Sequence, residues 1–120
     1  MKLSLISIER DMIRLEADGP ITTADFKSDG KHLFEQLLGQ NWTKNVVVLD
    51  FEKVSSIDSS AIGWLIATTK EIGAGGGKLV LHSVQPQVKQ ILALVRVDRA
   101  LTIVKDEAAA RAAIAEGAAK

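Results

Sequence analysis

Apolar positions fall into short runs separated by charged or glycine-containing breaks. Leu3, Leu5 and Ile8 are followed by Arg10-Asp11 and then by Met12-Ile13-Arg14-Leu15, which predicts a short β-hairpin. Gly19-Pro20 breaks the chain, and Thr22 or Thr23 can cap a following helix through a side-chain oxygen. Phe26, Gly30, Leu33, Phe34, Leu37 and Leu38 recur at helical spacing, with an end near Gly39. Val46-Val47-Val48-Leu49 is an unbroken aliphatic run, β-branched in its three valines, the pattern of a strand covered on both faces inside a parallel sheet. A second helix is predicted from Asp58-Ser59 to the Gly73–Gly77 segment, with Ile62, Leu65, Ile66, Thr69 and Ile72 facing the sheet.

Lys78-Leu79-Val80-Leu81 is the next strand, with His82 at its end. Pro86 suits the first turn of a third helix striped by Val88, Ile91, Leu92 and Val95. Leu101-Thr102-Ile103-Val104 predicts a last strand. Asp106 then caps an alanine-rich segment of high intrinsic helix propensity. The order β-β-α-β-α-β-α-β-α predicts one α/β domain over residues 1–120. Its single mixed, mostly parallel sheet has about five strands, with four helices packed against it.

Composition narrows the function classes. The chain has 120 residues, enough for one core without covalent staples, and it contains no cysteine. Disulfides, thiolate catalysis and cysteine-ligated metals are therefore excluded. Fifteen basic and fifteen acidic residues balance, and only Phe26, Phe34, Trp42, Phe51 and Trp64 are aromatic. This lacks the basic footprint of a nucleic-acid binder. Neither an apolar signal-peptide region nor a run near the roughly 20 residues of a membrane span is present, which points to a soluble cytoplasmic protein.

Candidate chemistry concentrates in Val54-Ser55-Ser56-Ile57-Asp58-Ser59-Ser60-Ala61-Ile62-Gly63, where a buried strand gives way to a helix. Open α/β sheets place their sites at such junctions. Asp58 or Ser59 can act simply as a cap. A phosphate on Ser59 would also be tolerated there, because a helix N-terminus favours an anion by about 0.3–1 kcal/mol. A partner packed over the same spot would have to desolvate about 1.5–2 added charges. Trp64 lies about 200° round the helix from Ile62, on the side of Ser60, Ala67, Thr68 and Glu71. It can anchor a partner-binding patch or fold onto a neighbouring helix of its own domain, and the pattern leaves both open.

Other constellations are weaker. Gly75-Gly76-Gly77 follows a helix and precedes a strand, the wrong order for a phosphate loop, and reads as a flexible turn. His32 and His82 have no second ligand at metal spacing, so no metal or cofactor is expected. Asp50 and Asp58 are not joined by a base or nucleophile into a hydrolytic set, so no enzyme activity is expected.

The segments Val47-Val48-Leu49-Asp50-Phe51 and Ile57-Asp58-Ser59-Ser60-Ala61-Ile62-Gly63-Trp64-Leu65 resemble the signature of STAS domains, which include the bacterial anti-sigma factor antagonists. Gly19-Pro20-Ile21 is similar to the family's first loop and Gly77-Lys78-Leu79-Val80-Leu81 to its fourth strand. Val88 to Leu101 is similar to its third helix and the approach to the last strand. The resemblance implies that Ser59 is the phosphoacceptor, Asp58 the adjacent motif acid and Ser60 the second hydroxyl. It further implies a partner surface at Thr22, Ser60, Gly63, Trp64 and Ala67. On that pattern, an anti-sigma factor with serine kinase activity of the GHKL type binds the unmodified protein and is released when Ser59 is phosphorylated. A serine phosphatase resets the switch. The other function the family offers is a non-phosphorylated scaffold or subunit, stressosome-like or in a lipid-transport complex. The chain departs from the family at Thr22, where antagonists often carry an acid in a loop one residue longer. It departs again at Arg96, which stands near the family's usual glycine.

Overall fold

A computed structural model describes residues 1–26 and 33–118, with side chains to residue 115. Five strands form one sheet: β1 (Lys2–Ile8), β2 (Ile13–Asp18), β3 (Val46–Lys53), β4 (Lys78–His82) and β5 (Ile103–Val104). Their spatial order follows the chain. β1 and β2 pair antiparallel, and every later pair is parallel. The mixed sheet with helices against it is the predicted architecture. The hairpin register shifts between Leu5 and Ser7, a bulge that the run Leu3–Ile8 does not announce. β5 is shorter than the predicted strand: Leu101 is buried beside it, and the Thr102 carbonyl accepts the Leu81 N–H at 2.9 Å.

Alternation along β3 explains why that strand has no polar face. Val47, Leu49 and Phe51 point to the larger core with Leu15, Leu79 and Leu81, where Phe34, Leu65, Ile72, Val88 and Leu92 of the helices meet them. Val48 points the other way, to a smaller cluster with Met12, Val80, Ala110 and Ile114. The helices are α1 (Leu33–Leu38), α2 (Ser59–Ala74), α3 (Pro86–Leu94) and α4 (Glu107–Ala118). Among the described residues only α4 covers the second face, and its alanines offer that face little area. Its docking is reinforced by charge. Arg111 bonds Glu9 at 2.9 and 3.1 Å and Glu107 at 3.2 Å, while Arg14 pairs with Glu107, tying α4 to the β1–β2 turn. Arg111 holds the Glu9 carboxyl below the usual range. Asp106 caps α4 as predicted, its carboxylate accepting the Ala109 N–H at 2.9 Å.

Three helix expectations need correction. The predicted first helix is a 3₁₀ turn at Thr23–Phe26 and a short α1; Gly30 and His32 lie outside the described residues. Gly39 ends α1 at φ +84°, as its position implied. The buried face of α2 is Ala61, Leu65, Thr68 and Ile72, while Ile62, Ile66 and Thr69 are only partly covered. Small Ala61 and Thr68 let this helix approach the sheet closely, so size rather than hydrophobicity sets its rotation. Val95 is exposed because α3 stops at Leu94. The glycine run after α2 is also not a loose tether. The Gly77 N–H bonds the Thr43 and Ile72 carbonyls, both at 2.9 Å, and a side chain there would run into the Asn45 carbonyl.

The departure at Arg96 has a backbone consequence. α3 ends in a Schellman arrangement, with the Val97 N–H on the Leu92 carbonyl and the Arg96 N–H on the Ala93 carbonyl, both at 3.1 Å. That closure puts Arg96 at φ +59°, a region costing an L-residue about 1–2 kcal/mol. Glycine relieves the strain but gives back about 0.5–1 kcal/mol of backbone entropy. Arg96→Gly should therefore raise stability by about 0.5–1 kcal/mol, seen as a higher urea midpoint at unchanged m-value.

Candidate functional site

Two chain segments distant in sequence are joined side by side at the C-terminal ends of the parallel strands. Past β2, Gly19 turns at φ +93° and its N–H bonds the Lys53 carbonyl at 2.9 Å. Ile21 then forms a parallel bridge with Ile57: its N–H reaches Ser56 O at 3.0 Å, and its carbonyl accepts the Asp58 N–H at 3.2 Å. Ile21 and Ile57 are both buried, so an apolar pair clamps the polar rim above it. This places Thr22 and Thr23 beside the first turn of α2.

Asp58 is the N-cap. Its Oδ1 accepts the Ala61 N–H at 3.0 Å, and its Oδ2 accepts the Thr23 N–H at 2.9 Å and the Thr23 hydroxyl at 3.3 Å. The backbone N–H groups of Ala61 and Thr23, with the Thr23 hydroxyl and the Ser60 N–H, hold its carboxyl below the usual carboxylate range. One carboxylate thus caps the helix and latches the first loop to it. Of the two cap candidates, Asp58 and Ser59, it is Asp58 that fills the anion seat at this helix end.

The two serines differ. Ser60 is partly buried, with its hydroxyl 2.9 Å from the Thr23 hydroxyl. Ser59, one residue earlier, is exposed, and among the described residues nothing hydrogen-bonds its hydroxyl. Thr22, Thr23, Ser55, Ser56, Gly63 and Ala67 are exposed around it. Gly63 and Ala67 follow Ser59 and Ser60 at i+4 and i+7, giving a flat strip along α2.

Trp64 does not stand outward on that strip. Its ring is partly buried, 5.4 Å from Phe26 and 5.7 Å edge-to-face from Phe34, which itself meets Trp42 at 5.8 Å. Of the two readings open for Trp64, the intramolecular one matches these ring contacts. Thr23, Phe26 and Phe34 went unrecognised as shapers of this site. No local signal marks them, since their partners on α2 lie far along the chain. Asp50 is used locally, accepting the Glu52 N–H at 2.8 Å, and His82 ends β4 with Nδ1 2.9 Å from the Ser83 hydroxyl. Among the described residues no group of three His, Asp or Glu is placed to hold a metal, and no helix is long and apolar enough to cross a membrane.

The STAS domain model matches residues 5–110, nearly the whole of this arrangement. The chain belongs to the STAS domain family. A Thermotoga maritima protein named, as an inferred assignment, an anti-sigma factor antagonist is 33% identical over 73 residues, covering 61% of this chain and 63% of that protein. The chain thus spans less than two-thirds of the length of that relative. The crystal structure of an inferred anti-sigma factor antagonist from the same organism superposes with a TM-score of 0.73 at 24% identity, covering 90% and 91% of the two chains. The anti-sigma factor antagonist SpoIIAA is similar in its unphosphorylated form, with a TM-score of 0.61 at 16% identity over 97% and 99%. The phosphorylated form of SpoIIAA, a Bacillus cell fate determinant, gives 0.58 at 18% over 93% and 99%. At these identities the solved structures establish the fold.

The double role of Asp58 within this STAS domain is testable. Asp58→Ala removes a helix cap and the latch on Thr23 together, and should lower Tm by about 4 °C or more. Because folding depresses the Asp58 pKa, its contribution is present above the ordinary carboxylate pKa and fades as pH falls through the lower folded value. The gap in Tm between wild type and variant should therefore narrow in acid; a gap independent of pH would rule out the ionised cap.

Proposed function

We propose that this STAS domain is a phosphorylation-controlled partner switch rather than an enzyme. Unmodified, it binds an anti-sigma factor that is also a serine kinase, and phosphorylation of Ser59 releases that partner. The observation that carries this reading is the contrast between the two adjacent hydroxyls. Ser59 is exposed and unengaged among the described residues, whereas Ser60 is held against Thr23. A kinase can reach the first without disturbing the fold. Likeness to SpoIIAA, solved in both phosphorylation states, supports the same reading.

The chemistry of release follows from the cap. Asp58 already takes the Ala61 N–H and its charge stays at the helix end, so a phosphate on Ser59 is directed outward into solvent. It then carries about two negative charges into the centre of the exposed strip formed by Thr22, Gly63 and Ala67. A partner seated there must strip water from those charges, at a cost of several kcal/mol. A serine phosphatase, acting on the same exposed position, restores the binding form.

Incubation with the GHKL-type kinases of the source organism and ATP, followed by mass spectrometry, tests the acceptor. One phosphate should appear on wild type and on Ser60→Ala, and none on Ser59→Ala. Full modification of Ser59→Ala would move the site elsewhere. The scaffold reading rests on Thr22, which stands exposed where antagonists often carry an acid. An acid of the same loop, Asp25, is occupied by the Met1 ammonium at 2.9 Å and the Thr22 N–H at 2.7 Å. Stable capture of partners by wild type without any phosphate under all kinases would favour it.

A further inference from the structure

The sheet has two edges with different protection. β5 is two residues long, whereas β1 is seven residues without proline, and its outer side is unpaired among the described residues. Of the six large apolar side chains left exposed among the described residues, three belong to β1, Leu5 at 41%, Ile6 at 47% and Ile8 at 70%; the others are Leu37 on α1 and Leu94 and Val95 at the end of α3. An open edge bearing exposed aliphatics is a template for another strand.

The bulge decides which strand fits. In a regular strand, residues presenting backbone groups to the outer side alternate strictly. One extra residue between Leu5 and Ser7 reverses that alternation half-way along β1. Laid antiparallel on a second copy about a two-fold axis at Leu5-Ile6, Leu3 stands opposite Ile8, Ser4 opposite Ser7 and Leu5 opposite Ile6. The reversal makes the outward-facing groups of the two copies coincide. The same register sets exposed Lys2 opposite Glu9, whose carboxylate Arg111 and Ser7 already fix in place. Apolar meets apolar, hydroxyl meets hydroxyl and cation meets anion, each a favourable cross-strand pair.

We propose that β1 is a homodimer interface in which two copies join edge to edge into one continuous sheet. The occupant is a second copy because the strand is complementary to itself in this register. Lys2 pairs with Asp18 at the end of β2, which leads into the loop holding the Thr23–Asp58 latch, so the two-fold axis sends the two Ser59 residues to opposite ends of the joined sheet. Both remain open to partners. The proposal does not depend on Ser59 being modified.

Sedimentation equilibrium of the full chain should show a dimer at about 100 µM. Ile8→Lys, or Ile6→Lys if the first alters the circular dichroism spectrum, should weaken association at least about tenfold. A monomer throughout that range, or undiminished association of folded edge variants, overturns the proposal and, in the second case, moves the contact to another face. Register is read separately, since the chain has no native cysteine. Mixed Ser4→Cys and Ser7→Cys chains should oxidise to the hetero-disulfide in large excess over either homo-disulfide. A statistical mixture of the three products overturns the paired register.

Discussion

Ser59→Asp is expected to fold as wild type does and to lose its anti-sigma factor partner, with affinity reduced about 100-fold or more, roughly 2.7 kcal/mol. Folding is spared because position 59 is the first residue of α2, exposed, and a negative group is favourable in the first turn of a helix. Binding is lost because the carboxylate sits amid Thr22, Gly63 and Ala67, where a docked partner would enclose it without a counter-charge. The variant carries one charge where a phosphate carries about 1.5–2, so its effect is a lower bound for the modified protein. Ser60→Asp supplies the contrast. Its carboxylate would be forced between Thr23 and Asp58, and the thermal transition should fall. Circular dichroism, calorimetry and isothermal titration together separate the two outcomes. Retained partner affinity in folded Ser59→Asp would contradict an electrostatic release, and so would an unfolded variant.

Much of this arrangement was legible in the sequence because its signals are local. The aliphatic run at Val46–Leu49 needs cover on both sides, and the two core clusters supply it. Asp58 and Asp106 lie just before helical segments and cap them. Gly39 ends a helix where a positive φ is needed. The misreadings arise where tertiary contacts choose among equal local options. α2 is apolar on several sides, so its rotation depends on which small side chains, Ala61 and Thr68, can meet the sheet. The bulge in β1 is invisible because Leu5, Ile6 and Ser7 fit a strand in either register. The hydroxyl that distinguishes Ser60 from Ser59 comes from Thr23, across a bridge created only when Ile21 and Ile57 pair. The dipeptide alone holds no information about which serine is free.

The fate of Trp64 shows the same dependence and leads to the largest expected stability effect. Phe34 is fully buried on α1 and touches both tryptophans edge-on, at 5.8 Å to Trp42 and 5.7 Å to Trp64. Truncating it leaves a cavity between α1, α2 and the 3₁₀ turn at Trp42–Lys44, and removes two aromatic contacts at once. Phe34→Ala should lower stability by about 3–5 kcal/mol, a large share of the 5–15 kcal/mol typical of a domain. Urea titration followed by tryptophan fluorescence should show an earlier transition. Native emission should shift to the red as Trp42 and Trp64 gain water. Trp64→Ala should act in the same direction with a smaller loss, because that ring is only partly buried. An outward interface anchor would behave oppositely, with partner affinity falling and stability unchanged. A Trp64→Ala variant as stable as wild type would therefore detach Trp64 from Phe26 and Phe34 and return it to the docking strip beside Ser59.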